Sequence, residues 1–202
     1  MCGNAIRCAA KHLWDFYLAD GDSVTVDTLG SAKEIRRVNQ GYAVDMGEPI
    51  WGTDCTSPVD TELEAAGRRL SAATVSMGNP HAVIFVPNVD AVDLETIGPA
   101  VETHVLFPHQ TNVEFVEVSD DERLKVRVWE RGVGPTLACG TGACASAVVA
   151  AKRRFVSRSC TVSLPGGDLH VDWKDDNHVW MTGPAVRVYA GRLEMMRSGL
   201  LW

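Results

Sequence analysis

Two short segments of the sequence place a cysteine and a glycine directly before a run of small residues. The first spans residues 1–8, with the sequence MCGNAIRC, and the second spans residues 138–144, with the sequence ACGTGAC. The free N–H groups and the positive dipole end of a helix favour the thiolate of a cysteine at its N-terminus. If Cys2 and Cys139 face each other in space, they provide an acid and a base for moving one proton. We therefore take these two cysteines as candidate catalytic thiols.

The residues after each cysteine are suited to binding an anion. Gly3 and Gly140 allow a ligand to approach the backbone closely. The N–H groups that follow, including those of Asn4 and Thr141, form a site for a carboxylate at a helix N-terminus. A carboxylate held there also has negative charge stabilised on its adjacent carbon. This pattern favours removal and return of a proton next to a carboxylate.

Two other interpretations of the cysteines stay open at this point. Free cysteines are often buried as small hydrophobic residues, and core packing is the expectation for Cys8 and Cys144. Zinc binding by Cys2, Cys8, Cys139 and Cys144 is the other interpretation. The cysteines within each pair are six and five residues apart, which differs from the usual zinc-ligand spacing.

Three further segments carry polar side chains that suit an amino-acid ligand. Asn79 and His81 flank a proline at a predicted turn, Asn112 opens a predicted strand, and Glu130 and Arg131 end another strand just before the second cysteine segment. Such an asparagine often only forms a turn or caps a strand, and an acid next to a base is often a surface pair. Near a site, the same residues can hold amino and carboxylate groups.

The spacing of hydrophobic residues predicts the helices and strands that position these residues. Ile6, Ala9, Leu13 and Tyr17 predict one face of a helix over 5–18, and a nearly continuous apolar run predicts a buried helix over 141–153. A third helix is expected over 93–104. Strands are expected over 23–27, 32–38, 42–46, 70–76, 81–86, 112–118, 124–130, 161–164, 169–173, 179–181 and 186–189. Each half has strands around one helix, which predicts a mixed α+β fold of two similar units, with a boundary in the loop 47–58.

Composition limits the class of protein. The chain has 202 residues, 46% of them hydrophobic, which is enough for a sizeable core. A formal net charge of −7 and the lack of a long basic stripe disfavour nucleic-acid binding. The longest apolar run is too short to span a membrane. Six cysteines without a recognisable signal peptide predict a reduced, cytoplasmic setting.

Five motifs occur in an order that resembles the diaminopimelate epimerase family. They are MCGN at 1–4, GNPH at 78–81, TNVEF at 111–115, WERG at 129–132 and ACGTG at 138–142. PGG at 165–167 and MTGP at 181–184 also fit the family pattern. Several motifs in a fixed order are far more specific than any single one.

The resemblance implies a fold and an activity. The expected fold has two similar lobes, each a strand barrel wrapped around a central helix, with the site between them. Residues 1–47 and 185–202 are expected to form the N-terminal lobe, which is incomplete, and residues 48–184 the C-terminal lobe. The chain begins on the first motif, and we expect that it is truncated at its N-terminus. The implied reaction interconverts LL- and meso-2,6-diaminopimelate, a small amino acid of lysine and peptidoglycan biosynthesis, without a cofactor or metal, in a family that is often homodimeric.

The resemblance also assigns roles to individual residues. Cys2 and Cys139 become the two acid/base thiols. The expected substrate-binding residues are Gly3, Asn4, Asn79, Asn112, Glu130, Arg131, Gly140 and Thr141. His81 and Glu130 are expected to help ionise or orient the thiols.

Two departures from the family pattern and three alternatives accompany the assignment. Ala5 and Pro135 stand where the family usually has glycine and glutamate. The alternatives are another two-cysteine racemase, such as a proline racemase, a catalytically inactive fragment of the epimerase, and a metal-binding domain. Asn4 and Thr141 speak against the proline racemase, whose motifs differ at these steps.

Overall fold

Alternating polar and apolar residues form strands along most of the chain, and three α-helices pack against them. A computed structural model describes residues 3–28, 30–39, 41–52 and 59–191. The helices are α1 (Gly3–Asp15), α2 (Leu94–Glu102) and α3 (Gly140–Lys152), with a short 3₁₀ helix at Val89–Ala91. The strands are β1 (Ser23–Asp27), β2 (Ala32–Val38), β3 (Gly41–Asp45), β4 (Val59–Ala65), β5 (Arg68–Ser76), β6 (Pro80–Phe85), β7 (Asn112–Asp120), β8 (Arg123–Glu130), β9 (Gly134–Thr136), β10 (Ser159–Leu164), β11 (Gly167–Trp173) and β12 (Val179–Gly183).

These strands pair into one continuous sheet. The order across the sheet is β1-β2-β3-β12-β11-β10-β8-β7-β6-β5-β4, and β9 pairs with β8 outside this path. The β6–β7 and β8–β10 pairs are parallel, and the other pairs are antiparallel. The antiparallel β3–β12 pair joins strands β1–β3 to the remaining strands of the sheet. The fold is therefore mixed α+β, as the sequence predicts, with a large sheet and few helices.

The two cysteine-bearing helices are buried to different extents. Eleven of the thirteen residues of α3 are buried, which confirms the predicted burial on all sides. Helix α1 is amphipathic, but the predicted face is wrong: Ile6 is buried with Ala10 and Trp14, whereas Ala9 is exposed. Tyr17, also placed on that face, lies beyond the helix end with a positive φ of 56° and is 93% exposed. The helix ends earlier than its apolar residues suggest.

Most predicted strands are confirmed within a few residues, with three exceptions. The short strand β9 is missing from the prediction. Strand β4 is missing from the prediction, although Ala66 and Gly67, both with positive φ, turn the chain from it into β5. The strand predicted at 186–189 is wrong, because these residues form no strand and Val186, Val188 and Tyr189 are at least 77% exposed. The predicted loop at 47–58 lies only partly within the described residues. Up to Gly52 it is a loop, with one bridge from Ile50 to Ser76.

A large hydrophobic core and a smaller one hold the sheet and helices together. The larger core joins residues of α1 and α3 with strands from both ends of the sheet. The smaller core lies under α2, around Leu94 and Phe115. No helix in the described part of the chain combines the length and the hydrophobicity that a membrane-crossing helix requires.

Candidate functional site

Cys139 is the N-cap residue of α3. Its backbone is extended (φ −121°, ψ 113°), which turns the side chain back over the first helical turn. The Sγ atom accepts a hydrogen bond from the Gly142 N–H at 3.4 Å and lies 3.5 Å from the Thr141 hydroxyl. The side chain is buried, and only 6% of the residue is exposed. The thiol therefore lies among the free N–H groups of the helix, as the sequence predicts.

Burial acts against ionisation of this thiol. Desolvation and the nearby Glu114 carboxyl raise the pKa of Cys139 to about 12, while the contacts from Thr141 and Gly142 lower it. The sequence predicts an easily ionised cysteine from the helix N-terminus alone. The structure adds the cost of burying the charge, which outweighs the two donors. Stabilising this thiolate requires further donors or the removal of a nearby negative charge.

The N-termini of α1 and α3 meet at two glycines. A Cβ atom built on Gly3 would lie 3.5 Å from the Gly140 Cα, and one built on Gly140 would lie 3.4 Å from the Gly3 Cα. The Met181 side chain packs over both glycines, at 2.9 Å and 3.0 Å from the same two positions. The other candidate thiol, Cys2, lies outside the described residues. Its successor in the sequence, Gly3, thus touches the successor of Cys139.

A buried arginine ties the start of α1 to the end of β12. Arg7 donates to the Gly3 carbonyl at 3.2 Å, to Asn4 Oδ1 at 3.0 Å and to the Pro184 carbonyl at 3.3 Å. Asn4 in turn donates to the Ala138 carbonyl at 3.2 Å. Asn4 therefore links the two cysteine segments directly. The sequence motifs assign no role to Arg7, and its position on the buried face of an amphipathic helix is the signal that identifies it.

A line of polar side chains connects Cys139 to the interior of the sheet. Asn79 donates to the Thr141 hydroxyl at 3.3 Å, and its Oδ1 lies 3.1 Å from His81 Nε2. His81 Nδ1 lies 2.7 Å from Glu114 Oε1. The structure thus brings together Asn79, His81 and Thr141, all predicted as site residues. Glu114 was missed, although a glutamate inside the apolar strand β7 is the signal that singles it out.

The predicted residues of the second polar group lie around the turn after β8. The Glu130 carboxylate accepts from the Thr136 hydroxyl at 2.6 Å. The Asn112 amide donates to the Pro80 carbonyl at 2.8 Å and accepts from the Arg131 N–H at 3.0 Å. The nitrogen and the oxygen of the Asn112 side-chain amide therefore both bind backbone groups. Its contacts fix the turn that carries Arg131.

A second buried acid, also missed from the sequence, holds the same turn. Glu102 at the end of α2 accepts from the Gly132 N–H at 2.7 Å and from the Trp129 indole at 2.6 Å. The Arg131 side chain donates to the His109 carbonyl at 3.2 Å and remains accessible. Asn112 and Glu102 thus accept hydrogen bonds from the consecutive N–H groups of Arg131 and Gly132.

A cleft of about 410 Å³ opens beside these residues. Asn79, Thr141 and Arg131 line it, together with Lys33 and Glu48 from the first part of the chain. Two cations, one acid and an amide suit a ligand that carries both amino and carboxylate groups. The cleft is bounded by the turn after β8, the segment before β6 and the first strands of the chain.

The remaining cysteines differ from expectation in one case. Cys144 is buried, as predicted, but Cys8 is exposed, because it lies on the outer side of α1. Cys160 is buried as well, and Cys55 lies outside the described residues. Within the described ranges, no group of three or more histidine, cysteine or acidic side chains is arranged to hold a metal ion.

Comparisons with known proteins agree on one family. Residues 73–188 match the sequence profile of the family described as Diaminopimelate epimerase. The chain is similar to a diaminopimelate epimerase from Methanococcus maripaludis strain C6, with 45% identity over 96% of this chain and 75% of the relative. It is also similar to a diaminopimelate epimerase from Acetivibrio thermocellus, with 47% identity over 96% of this chain and 74% of the relative.

The fold is similar to that of solved structures with distant sequences. One is a phenazine biosynthesis protein of the PhzF family from Enterococcus faecalis. It superposes with a TM-score of 0.68 and 13% identity, over 90% of this chain and 68% of that chain. At this identity the likeness concerns the fold alone.

Proposed function

Because this chain belongs to the diaminopimelate epimerase family, we propose that it interconverts LL- and meso-2,6-diaminopimelate by two-thiol proton transfer. Cys2 and Cys139 are the acid and the base. The observation that carries this proposal is the contact between Gly3 and Gly140, because each of these glycines directly follows one of the cysteines. One thiolate removes the α-proton, and the opposite thiol delivers a proton to the other face of the carbon.

The helix N-termini supply the stabilisation that this reaction needs. An amino-acid α-proton is far less acidic than a thiol, whose ordinary pKa is about 8.5. Backbone N–H groups at Gly3, Asn4, Gly140 and Thr141 bind the reacting carboxylate, where negative charge develops as the proton leaves. Because the thiol of Cys139 is buried, each donor there acts in a low-dielectric setting and has a larger effect than it would in water.

Residues in the cleft and next to it bind the parts of the substrate that do not react. Asn79, Arg131 and Glu130 hold amino and carboxylate groups, and Asn112 contributes by fixing the turn of Arg131. Lys33 and Glu48 provide opposite charges for the distal end of a substrate that has an amino and a carboxylate group at each end. His81 acts on Cys139 through Asn79 and Thr141.

The two-lobe organisation is part of the same proposal. Residues 1–47 and 185–202 form the N-terminal lobe, and residues 48–184 form the C-terminal lobe. Packing of α1 against β1 and β3, and of α3 against β5–β8 and β10–β12, supports this division. Arg187 also pairs with Asp15 of α1 at 2.6 Å, which supports the return of the chain end to the first lobe. A homodimer and a cytoplasmic location are further expectations from the family.

Exchange of the α-proton tests the proposal. We expect reduced protein in D₂O to incorporate deuterium at the α-carbon of LL-diaminopimelate, followed by NMR. Cys139→Ala should lower the exchange rate by at least about 100-fold, since it removes one acid/base group. Cys144→Ala is the matched control in the same helix and should retain exchange.

Three outcomes would contradict the proposal. Conversion of LL- to meso-diaminopimelate that is equally fast in the folded Cys139→Ala variant would exclude the two-thiol mechanism. Exchange of proline but not of diaminopimelate would favour the proline racemase alternative. Absence of exchange in the folded wild-type chain would indicate an inactive fragment.

A further inference from the structure

Glu114 is a carboxyl group at the far end of a line of contacts that finishes on Cys139. The line runs from Glu114 to His81 Nδ1, from His81 Nε2 to Asn79 Oδ1, from Asn79 Nδ2 to Thr141 Oγ1, and from Thr141 Oγ1 to Cys139 Sγ. The four distances are 2.7, 3.1, 3.3 and 3.5 Å. Histidine, threonine and the carboxyl group can each carry a hydrogen at more than one place, so the line has two possible directions.

The surroundings of Glu114 favour the neutral acid. Its side chain and that of His81 have no exposed surface. Glu114 Oε1 faces His81, whereas its Oε2 is buried and has no hydrogen-bond partner among the residues that the structure describes. Burial raises the pKa of Glu114, the nearby Glu130 carboxylate also raises it, and the contact with His81 opposes this shift. Burying a charged carboxylate oxygen without a hydrogen-bond partner costs far more free energy than burying the same oxygen of a neutral carboxylic acid.

A proton on Glu114 sets the direction of every other link. If Glu114 donates to His81 Nδ1, the imidazole carries its hydrogen on Nε2 and donates to Asn79 Oδ1. Asn79 then donates its amide hydrogen to the Thr141 oxygen. The Thr141 hydroxyl hydrogen is left to point at Cys139 Sγ, where it stabilises the thiolate.

The opposite state gives the opposite direction. If Glu114 is a carboxylate and the imidazole is neutral, the carboxylate accepts from His81 Nδ1–H, so Nε2 becomes an acceptor and the Asn79 amide must turn over. The Thr141 hydroxyl then donates to Asn79 and accepts from the thiol of Cys139. A charged Glu114 would also place a negative charge near the sulfur, and that charge would raise the pKa of Cys139. Both effects favour the thiol over the thiolate.

We propose that Glu114 is a positioning residue which, as a neutral carboxylic acid, fixes the Nε2–H tautomer of His81 and directs the whole line of donors to Cys139 Sγ. This inference rests on the proposed function in assigning Cys139 a catalytic role. The orientation of His81 and the state of the thiol are properties of the free protein. They are therefore measurable without substrate.

Substitution of Glu114 separates its hydrogen-bonding role from its charge. Glu114→Gln keeps a neutral donor for His81 Nδ1, whereas Glu114→Leu removes the donor. We expect iodoacetamide to alkylate Cys139 at pH 8 within about 2-fold of the wild-type rate in the Gln variant. In the Leu variant we expect the rate to fall about 10-fold, which corresponds to a rise of about one unit in the thiol pKa. Peptide mass spectrometry locates the label on Cys139.

Matched substitutions at Glu117 on the same strand are the control, because its carboxylate accepts from the Val89 N–H instead. We expect Glu117→Gln and Glu117→Leu to leave alkylation of Cys139 unchanged. In the exchange reaction, Glu114→Leu should lower kcat about 10-fold with KM within about 2-fold, since no contact with the substrate is removed. A Gln variant that behaves like the Leu variant would overturn the proposal.

Nitrogen NMR of the wild-type protein provides a test that needs no variant of Glu114 to fold. With ¹⁵N-labelled histidine, the His81 signal is assigned by its loss in His81→Gln. We expect a ring with its hydrogen on Nε2 and none on Nδ1. A ring protonated on Nδ1, or an imidazolium, would overturn the proposal. If the tautomer and alkylation results agree with expectation while no substrate exchanges, the proposed function fails and this inference stands.

Discussion

Glu114 and Gly142 share a small space where β7 packs against the first turn of α3. A Cβ atom added at Gly142 would lie 2.7 Å from Glu114 Oε1 and 3.4 Å from the Cβ of Cys139. The backbone of Gly142 is helical, so alanine would ordinarily stabilise this position by up to about 1 kcal/mol. Here the contact with a buried carboxyl group reverses the sign. Glycine at this position is therefore required by packing.

We expect Gly142→Ala to lower the free energy of unfolding by about 1–3 kcal/mol, because it overpacks a buried contact. Its exchange activity should fall as well, since Glu114 must move away from His81. Urea denaturation and the exchange assay measure the two effects. The control is Gly142→Ala combined with Glu114→Ala, which removes the clash, so that the stability losses of the two substitutions should not add. Additive losses would contradict the packing explanation.

Single residues show what sequence motifs reveal and what they omit. Cys139, Thr141, Asn79 and His81 were predicted as site residues from motifs, and the structure brings them into one line of contacts. Glu114 belongs to one of the same motifs, but its neighbours in the sequence are apolar and do not reveal its partner. That partner, His81, lies on the adjacent parallel strand, and strand pairing of this kind is not readable from local spacing.

At the scale of elements, short-range patterns predicted most strands and all three helices. Strand β4 is missing from the prediction because acidic residues, which are uncommon in strands, occupy three of its seven positions. The segment 186–189 has the composition of a strand but no pairing partner in the described sheet. Local alternation shows that a strand is possible, and the partner strand decides whether it forms.

The junction between β3 and β12 carries an ion pair that predicts a pH dependence. His178, next to β12, lies 2.8 Å from the Asp45 carboxylate at the end of β3. The hydrogen bond to Asp45 raises the pKa of His178 above its ordinary value of 6.5. A raised pKa in the folded state means that the pair stabilises the fold fully below pH 6.5. This contribution is lost as the pH rises through the folded-state pKa.

We therefore expect the wild-type protein to lose stability relative to His178→Gln as the pH rises from 6 to 9. The loss should stay below about 1 kcal/mol, because the imidazole is 39% exposed and solvent screens the pair. Urea midpoints at several pH values measure it. Asp45→Asn should weaken the same dependence, and the nearby Asp176 and Glu48 should account for what remains. A stability advantage of the wild type over His178→Gln that grew as the pH rose would have the wrong sign for this pair.

At the scale of the whole molecule, the sheet and the larger core connect α1 and β1–β3 to the remaining helices and strands. The β3–β12 pair makes the sheet continuous, and the core joins Ile6 of α1 with Val148 of α3. The candidate site lies where these two helices meet. The geometry around Cys139 therefore depends on contacts from both proposed lobes.

This continuity predicts that the two ends of the sheet unfold together. Trp14 on α1 and Trp129 on β8 report on opposite regions, the first in the larger core and the second against the smaller one. Comparing the wild-type protein with Trp14→Phe and with Trp129→Phe isolates the fluorescence change of each tryptophan during unfolding. We expect the two changes to have the same urea midpoint. Coincident transitions are the mark of cooperative unfolding. Two separate midpoints would mean that the lobes unfold independently, and the meeting of α1 and α3 would then be too weak to hold two facing thiols in a fixed geometry.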